Sequence, residues 1–323
     1  MREQPFESPL LVESIKPNPF LDFVRCVFSN IREVLSKLLK NPLSATGLII
    51  LLGFVLVALA APWLAPPSER HLDSYMIPQD GFSPTPKPPS AQHLFGTTER
   101  QYDIFYGLVW GTRTAFKIGF VVLFFTLIVG IILGALSGYF GGWIDELLMR
   151  MTEIFIAFPS LVATMVLVTI LGKGLDKIII AFVVFGWMTY ARLIRGNILQ
   201  IKENTYIEAA RAAGATATRI IFRHLVPNAI FPVVVVASLD IGTVVLGAAA
   251  LSFLGLGAPE GYSDWGQMIS YALNWILGTH NDRLAYWYTI FFPGLMISLF
   301  VLAWNFLGDA FRDIFDPRLR GSR

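Results

Sequence analysis

Six stretches of this chain are apolar over about 20 residues, the length a helix needs to cross the hydrocarbon core of a bilayer. They cover 44–64, 115–136, 147–171, 177–194, 230–253 and 286–307. In hydrocarbon every backbone N–H and C=O must find its partner inside the protein, so runs of this kind fold as helices. The fold class that follows is an all-α membrane protein with six transmembrane helices. Composition agrees: the chain is 54% hydrophobic and 15% charged, where a soluble domain carries about 25% charge. A net charge of +2 gives no argument for a nucleic-acid partner. Pro159, Gly242, Gly247 and Pro293 lie inside the runs, where membrane helices tolerate them. Pro159 is expected to kink the third span.

The spans divide the chain into a segment 1–43, a membrane domain 44–308 and a tail 309–323. Phe20, Phe23, Val24, Val27, Phe28, Ile31, Val34, Leu35, Leu38 and Leu39 recur at three- and four-residue steps. This predicts an amphipathic helix lying in the membrane interface, with packing on a partner subunit as the alternative. Ala58-Leu59-Ala60 mimics a signal-peptidase site, but the run before it is span-length, so an uncleaved first helix is expected. Of the 25 Lys and Arg, 17 fall on one side of this topology and 8 on the other or at span edges. The basic side faces the cytosol. Both termini and the loop 197–227 are therefore expected inside. The loops 65–112 and 255–285 are expected outside, with short helices near 102–110 and 265–277. The single cysteine, Cys26, rules out an internal disulfide and a Cys-ligated metal cluster. His71, His93, His224 and His280 show no metal-ligand spacing and read as surface or interfacial histidines. No metal site is expected.

The inside stretch 205–228 reads TYIEAARAAGATATRIIFRHLVPN. Its pattern is helix, glycine break, second helix, proline stop. Thr205-x-x-Glu208 has the form of a capping box. Ala209, Ala210, Ala212 and Ala213 favour helix and carry little bulk. Gly214 suits the left-handed residue that ends a helix. Ile220, Ile221 and Leu225 then face one side, Arg219 and Arg223 the other. Pro227 closes the hairpin and opens the next span. A hairpin of small residues between two membrane helices suits docking into a groove on another protein.

The stretch resembles the EAA loop of the membrane subunits of binding-protein-dependent ABC importers. Glu208-Ala209-Ala210, Gly214 and Pro227 stand at that family's spacing, with His224 and Val226 at its isoleucine and leucine positions. Further motifs resemble the second permease subunit of dipeptide and oligopeptide importers. They are Asn41-Pro42-Leu43, Gly96-Thr97 with Asp103, Tyr139-Phe140-Gly141-Gly142-Trp143 with Asp145-Glu146, and Phe158-Pro159-Ser160. Leu251-Ser252-Phe253-Leu254-Gly255-Leu256-Gly257, Asp264-Trp265-Gly266 and Asp316-Pro317-Arg318-Leu319-Arg320 continue the series. The family usually has Asp, Gly and Arg where this chain has Thr98, Gln101 and Tyr102. It often has Gly and Glu where this chain has Asp240 and Ala248.

The resemblance implies the type I importer fold and a set of partners: a second homologous permease chain, two ABC ATPases, an extracytoplasmic substrate-binding protein and the lipid bilayer. The cell (inner) membrane of a prokaryote is the implied location. No G-x-x-x-x-G-K-[ST] occurs, so this chain lacks a phosphate-cradling loop. It is expected to be no enzyme and to bind no cofactor; ATP and Mg are used by the partner ATPases. The hairpin would receive their motion through Glu208, Ala209, Ala210, Arg211, Gly214, Arg219 and Pro227. Glu208 either pairs with an ATPase arginine or only caps its own helix.

Asp240, an ionisable group inside a span, and Pro159 are candidates for the substrate path. A paired or water-exposed aspartate is the alternative for Asp240. Asp264 and Trp265 are candidates for docking the binding protein, with an interfacial anchor as the alternative for Trp265. Peptides are the expected cargo, with nickel or sugars as alternatives. An ion-coupled secondary transporter would show internal repeats, and a membrane enzyme a convergent catalytic set. The sequence shows neither.

Overall fold

A computed structural model describes residues 38–39, 41–67, 73–276, 278, 282 and 284–315. Among them no strand forms; three isolated β-bridges occur in the loops. The helices are α1 (Pro42–Leu64), α2 (Ile104–Phe140), α3 (Gly142–Ile156), α4 (Ser160–Leu171), α5 (Leu175–Ile201), α6 (Thr205–Ala212), α7 (Ala217–Ile220), α8 (Val226–Ala229), α9 (Phe231–Phe253), α10 (Trp265–Ser270) and α11 (Tyr288–Phe315). Five of them, α1, α2, α5, α9 and α11, are long and apolar enough to cross a membrane alone. The sixth expected span is a broken pair: α3 and α4 meet at 87°. Pro159 stands at the break with φ −57° and ψ 120°, outside the helical region. The kink expected there is therefore a full interruption. The amphipathic helix expected over 20–39 lies outside the described residues except Leu38 and Leu39; Leu38 packs on Leu307 and Ala310.

The second span begins well before its apolar run. Asp103 caps α2 by accepting the Tyr106 N–H at 2.8 Å, and the helix continues for 37 residues. At 1.5 Å per residue that is about 55 Å, longer than the hydrocarbon core. Its first turns are the short helix expected near 102–110 within the loop range, here continuous with the span. Tyr106, Gly107, Gly111 and Arg113 blur the apolar signal there, yet Ile104, Leu108, Val109 and Trp110 are buried.

One proline inside α1 leaves a carbonyl without its helical donor. Pro62 has no N–H for Ala58, four residues back. The Arg113 Nε donates to that carbonyl at 2.6 Å, and its guanidinium lies 5.0 Å from the Trp110 ring centre. Trp110 Nε1 donates to Ala65 O at 2.9 Å, just past the end of α1. A basic residue near the membrane is thus held by a backbone gap and an aromatic face.

Helix α2 packs along α5 through Gly130, Gly134 and Gly138, one residue per turn. A Cβ on Gly134 would stand 2.4 Å from Ala191 O, and one on Gly130 2.5 Å from Tyr190 Cβ. Small residues at this spacing let two membrane helices approach to backbone contact. The composition of the apolar run conceals this seam, because hydropathy does not separate a lipid-facing side from a helix-facing one. Gly134→Leu is expected to lower stability by about 3 kcal/mol, read as thermal unfolding in detergent. Gly196→Ala on the open side of α5, where nothing lies within 4 Å of an added Cβ, is the control and is expected to be neutral or slightly stabilising. Equal melting of the two variants would remove the close-contact account.

Candidate coupling site

The hairpin leaves α5 through a tight turn. Asn204 directs both its backbone N–H, at 3.1 Å, and its Nδ2, at 3.0 Å, to Ile201 O. It occupies the cap position of α6 with extended backbone and makes no side-chain cap bond. Thr205 is therefore the first helical residue, not the cap. The capping box read from the sequence does not form. Glu208 stands in the fourth helical position, too far along to reach the cap N–H, and is exposed. Its capping role is corrected; its carboxylate faces outward.

At the other end of α6 the expectation for Gly214 holds in detail. Its φ is +79°. The Gly214 N–H bonds Arg211 O at 2.9 Å, and the Ala215 N–H bonds Ala210 O at 3.0 Å. These are the two bonds of a Schellman motif. Thr216 then caps α7 by accepting the Arg219 N–H at 3.4 Å.

Pro227 does not stop the second helix. Helical backbone continues from α7 through Ile221–Leu225 into α8, with Pro227 in the first turn of α8. The intervening five residues form a π-turn, in which the Val226 N–H bonds Ile221 O, five residues back. Asn228 Nδ2 donates to His224 O at 2.6 Å. The wide turn carries the chain past Pro227, while the Asn228 side chain serves the neighbouring His224 carbonyl. Asn197 of α5 donates to Ala229 O at 3.0 Å and pins the exit.

The faces separate as expected. Ile207, Ile220, Ile221 and Leu225 are buried against Ala135, Ile194, Ile198 and Val233 at the ends of α2, α5 and α9. Glu208, Ala209, Ala212, Ala213, Arg219 and Arg223 are exposed, and Ala210 is half-buried. Arg211 lies over the Tyr139 ring at 5.5 Å. The hairpin thus has an apolar side locked into three membrane helices and a shallow outer side of small and charged residues.

Asp240 lies on α9, half-buried, and accepts a hydrogen bond from Tyr190 of α5 at 2.6 Å. It is a paired aspartate, one turn beyond Ala237 of the hairpin's core. Pro159 is exposed at the α3–α4 break.

The opposite end of the bundle is closed by the loop before α2 and the loop between α9 and α11. Ile77 N–H bonds Gly261 O and Ser263 N–H bonds Tyr75 O, both at 2.8 Å. Tyr75 stacks on Tyr262. Asp264 and Trp265 belong to the inside of this assembly: they are 4% and 3% exposed. Asp264 caps α10 through the Gln267 N–H at 3.0 Å and accepts from Ser252 at 3.1 Å. Trp265 Nε1 donates to Leu108 O at 3.2 Å, and its ring packs on Phe54 and Phe300. Both were expected to touch a docking protein, and Trp265 alternatively the membrane interface. Buried side chains can do neither, so the pair supports the loop from within. The helical patch expected over 265–277 is α10 followed by a short turn at Leu273–Trp275; Leu277 lies outside the described residues.

His93, read as a surface or interfacial residue, is also buried. Its Nδ1 lies 2.7 Å from Asp103 and its Nε2 3.3 Å from Asp80. Separations of 10 and 13 residues with no period carry no signal for this. Among the described residues no group of three or more ligand side chains could hold a metal.

The departures at Gln101 and Tyr102 also find a place. Arg100 and Gln101 have φ of 69° and 66°, the region glycine adopts freely. Gln101 Nε2 donates to Thr85 O at 2.7 Å, Arg100 pairs with Glu260, and Tyr102 stacks on Tyr271. These contacts hold a backbone that glycine would adopt unaided.

Burial pushes the Asp264 carboxyl up from its ordinary value of 3.8, against the opposing hydrogen bonds from Gln267, Ser252 and Gly266. A raised folded value means that protonation favours the folded chain. That stability is complete below 3.8 and is lost as pH rises through the folded value. Asp264→Asn keeps a cap acceptor and removes the titration. Wild type is expected to lose thermal stability relative to this variant as pH rises above 3.8. A difference that stays constant with pH would show that the buried carboxyl does not titrate in this way.

Comparison with known proteins supplies the family. Residues 130–321 match the family described as binding-protein-dependent transport system inner membrane component. Residues 29–89 match the N-terminal transmembrane domain of oligopeptide transport permease C. The dipeptide transport system permease protein DppC of Alkalihalophilus pseudofirmus is 39% identical over 289 residues, covering 90% of each chain. DppC of Bacillus subtilis is 36% identical over 284 residues, covering 88% of this chain and 84% of the relative. The glutathione transport system permease protein GsiD of Escherichia coli is 36% identical over 282 residues, covering 87% and 88%. The methionine ABC transporter MetNI in an inward-facing conformation shares the fold, with a TM-score of 0.52 at 22% identity over 66% of this chain and 98% of that one. A helical hairpin locked onto membrane spans and the matches along most of the chain lead to one conclusion: this protein belongs to the binding-protein-dependent ABC importer permeases, as a multi-pass inner-membrane transport subunit of the DppC/OppC-like type and not itself an enzyme.

Proposed function

We propose that this chain pairs with a second, homologous permease to form the path for di- or oligopeptides handed over by an extracytoplasmic binding protein. Two separate ATPase subunits use ATP and Mg and supply the motion. The observation that carries the reading is the two-sided hairpin. Its apolar edge is built into α2, α5 and α9, while its outer side presents Glu208, Ala209, Arg219 and the Gly214 turn. A push on that outer side therefore moves membrane helices rather than a loose loop. Glu208 is proposed to meet a basic residue of the ATPase, and Ala209, Ala210 and Gly214 to allow close approach. The hairpin and both termini are proposed to lie in the cytosol, following the basic bias of those segments. The relatives named for dipeptides and glutathione, all peptides, support this cargo class over nickel or sugars.

The path is proposed to pass Asp240 and the break at Pro159. An aspartate inside a span is expensive to keep, and its hydrogen bond to Tyr190 orients it. It would attract the ammonium end of a peptide.

Gly214→Val is expected to abolish ATP-driven uptake while membrane insertion stays normal. Space is open around Gly214, so the effect is conformational: a β-branched residue at positive φ costs about 1–2 kcal/mol and unseats the turn. Wild-type uptake by this variant, in vesicles holding the whole transporter, would overturn the coupling reading. For Asp240→Asn a rise in the concentration needed for half-maximal peptide uptake is expected, with the same maximal ATPase rate. Unchanged affinity and selectivity would remove Asp240 from the path.

A further inference from the structure

The bent pair α3–α4 is the least buried part of the membrane domain. Along α3 only Thr152 is buried, and along α4 only Thr164 and Val168. Such a pair can be displaced against its neighbours without dismantling a core. It joins α2 through Gly141 and Gly142, at φ 65° and 55°, where an added Cβ would meet nothing within 4 Å. The corner thus needs glycine for its backbone and not for space, and it is not wedged by side chains.

One carboxylate bridges this corner. Asp145, in the first turn of α3, receives Arg195 of α5 in a two-pronged pair, Nε to Oδ1 at 2.5 Å and Nη2 to Oδ2 at 2.6 Å. The Ser137 hydroxyl of α2 donates to the same carboxylate. Lys202, at the end of α5, donates to Gly138 O at 3.2 Å. A planar guanidinium held in this way fixes orientation as well as distance. The hairpin reaches the same corner from the other side. Arg211 of α6 lies over Tyr139, two residues from Ser137 and two from Gly141. Further up, α3 touches α5 through Phe155 against Phe185 and Trp187, apolar contacts that can slide.

We propose that the Asp145–Arg195 clamp carries the displacement of the hairpin into the bent pair α3–α4. Asp145 and Arg195 are then positioning residues for coupling: without them the ATPases still turn over, but the bent pair does not follow. The hairpin moves α5 and the α2 end, on which its apolar side is seated. The clamp obliges the start of α3 to move with them, and the glycine corner lets it do so without distorting α2. The inference rests on the proposed function and adds the route by which motion reaches the helices around Pro159.

The test uses the whole transporter in proteoliposomes, with ATP hydrolysis and peptide uptake measured on the same preparation. Wild type is read first; absence of ATP-driven uptake there would overturn the proposed function and this inference with it. Given wild-type transport, Asp145→Arg and Arg195→Asp are each expected to lower uptake per ATP hydrolysed at least 10-fold, and the double exchange to restore most of it. Asp145→Asn retains size and one side of the hydrogen bonding, so it assembles even where a reversed charge does not. It is expected to lower the same ratio several-fold while the ATPase rate stays within about twofold. A role in folding alone would reduce both activities together through the amount of assembled complex and leave their ratio unchanged. An unchanged ratio in Asp145→Asn, or a double exchange no better coupled than the single variants, overturns the proposal while leaving the permease reading intact.

Discussion

A chain in hydrocarbon has no water to satisfy its backbone, and most of this architecture follows from that constraint. Each span closes its own hydrogen bonds as a helix, and a proline inside one opens a gap that something must fill. Ala58, left without a donor by Pro62, takes the Nε of Arg113. Near Pro227 the chain widens into a π-turn and Asn228 reaches back to His224. At Pro159 the carbonyl four residues back, Phe155 O, takes the Phe158 N–H at 3.3 Å instead, and the helix breaks through 87°. The same residue type therefore gives a supported bend, a wide turn or a full interruption, according to which donors stand nearby.

Backbone self-satisfaction also explains why the helices meet where they do. With the hydrophobic effect spent on entering the membrane, association depends on close fit and on the few polar pairs available. The Gly130, Gly134 and Gly138 stripe brings α2 against α5. Tyr190–Asp240 ties α5 to α9, and Asp145–Arg195 ties α3 to α5. Helix α5 takes part in all three contacts and carries the hairpin at its end. A hairpin seated on the ends of α2, α5 and α9 is placed to turn motion outside the membrane into motion of helices. That arrangement needs no nucleotide site in this chain, in keeping with its membership of a family of transport subunits.

Much of the hairpin was legible because its signals are local. The left-handed glycine at 214, the apolar register of Ile220, Ile221 and Leu225 and the small residues of α6 each depend on neighbours within a few positions. Legibility failed where one residue shifted the register. Asn204 takes the cap position through its bonds to Ile201, which moves Thr205 into the helix and leaves Glu208 free of any cap. It failed again at the end of the bundle opposite the hairpin. Asp264-Trp265-Gly266 reads as a polar and aromatic surface motif, but Gly266 lets the segment press on Ala249 and carries both side chains inward. Contacts of this kind join residues more than a hundred positions apart, as Trp265 joins Leu108, and no periodicity announces them.

By itself the sequence determined the class of the fold, the position of five helices to within a few residues at most ends, and the presence of a two-helix hairpin. Hydrophobic run length and turn chemistry act over short distances, so they survive without a structure. The largest exception was the start of α2, whose first turns are kept in place by the loops that cover them rather than by apolar periodicity; α5 and α11 also run past their expected ends, to Ile201 and Phe315. Only the tertiary structure decided which glycines are seams, which charged groups are paired, and that Asp264, Trp265 and His93 are buried. Those outcomes depend on which helix comes to lie beside which, and that is set by shape and polar matching across segments distant in the chain.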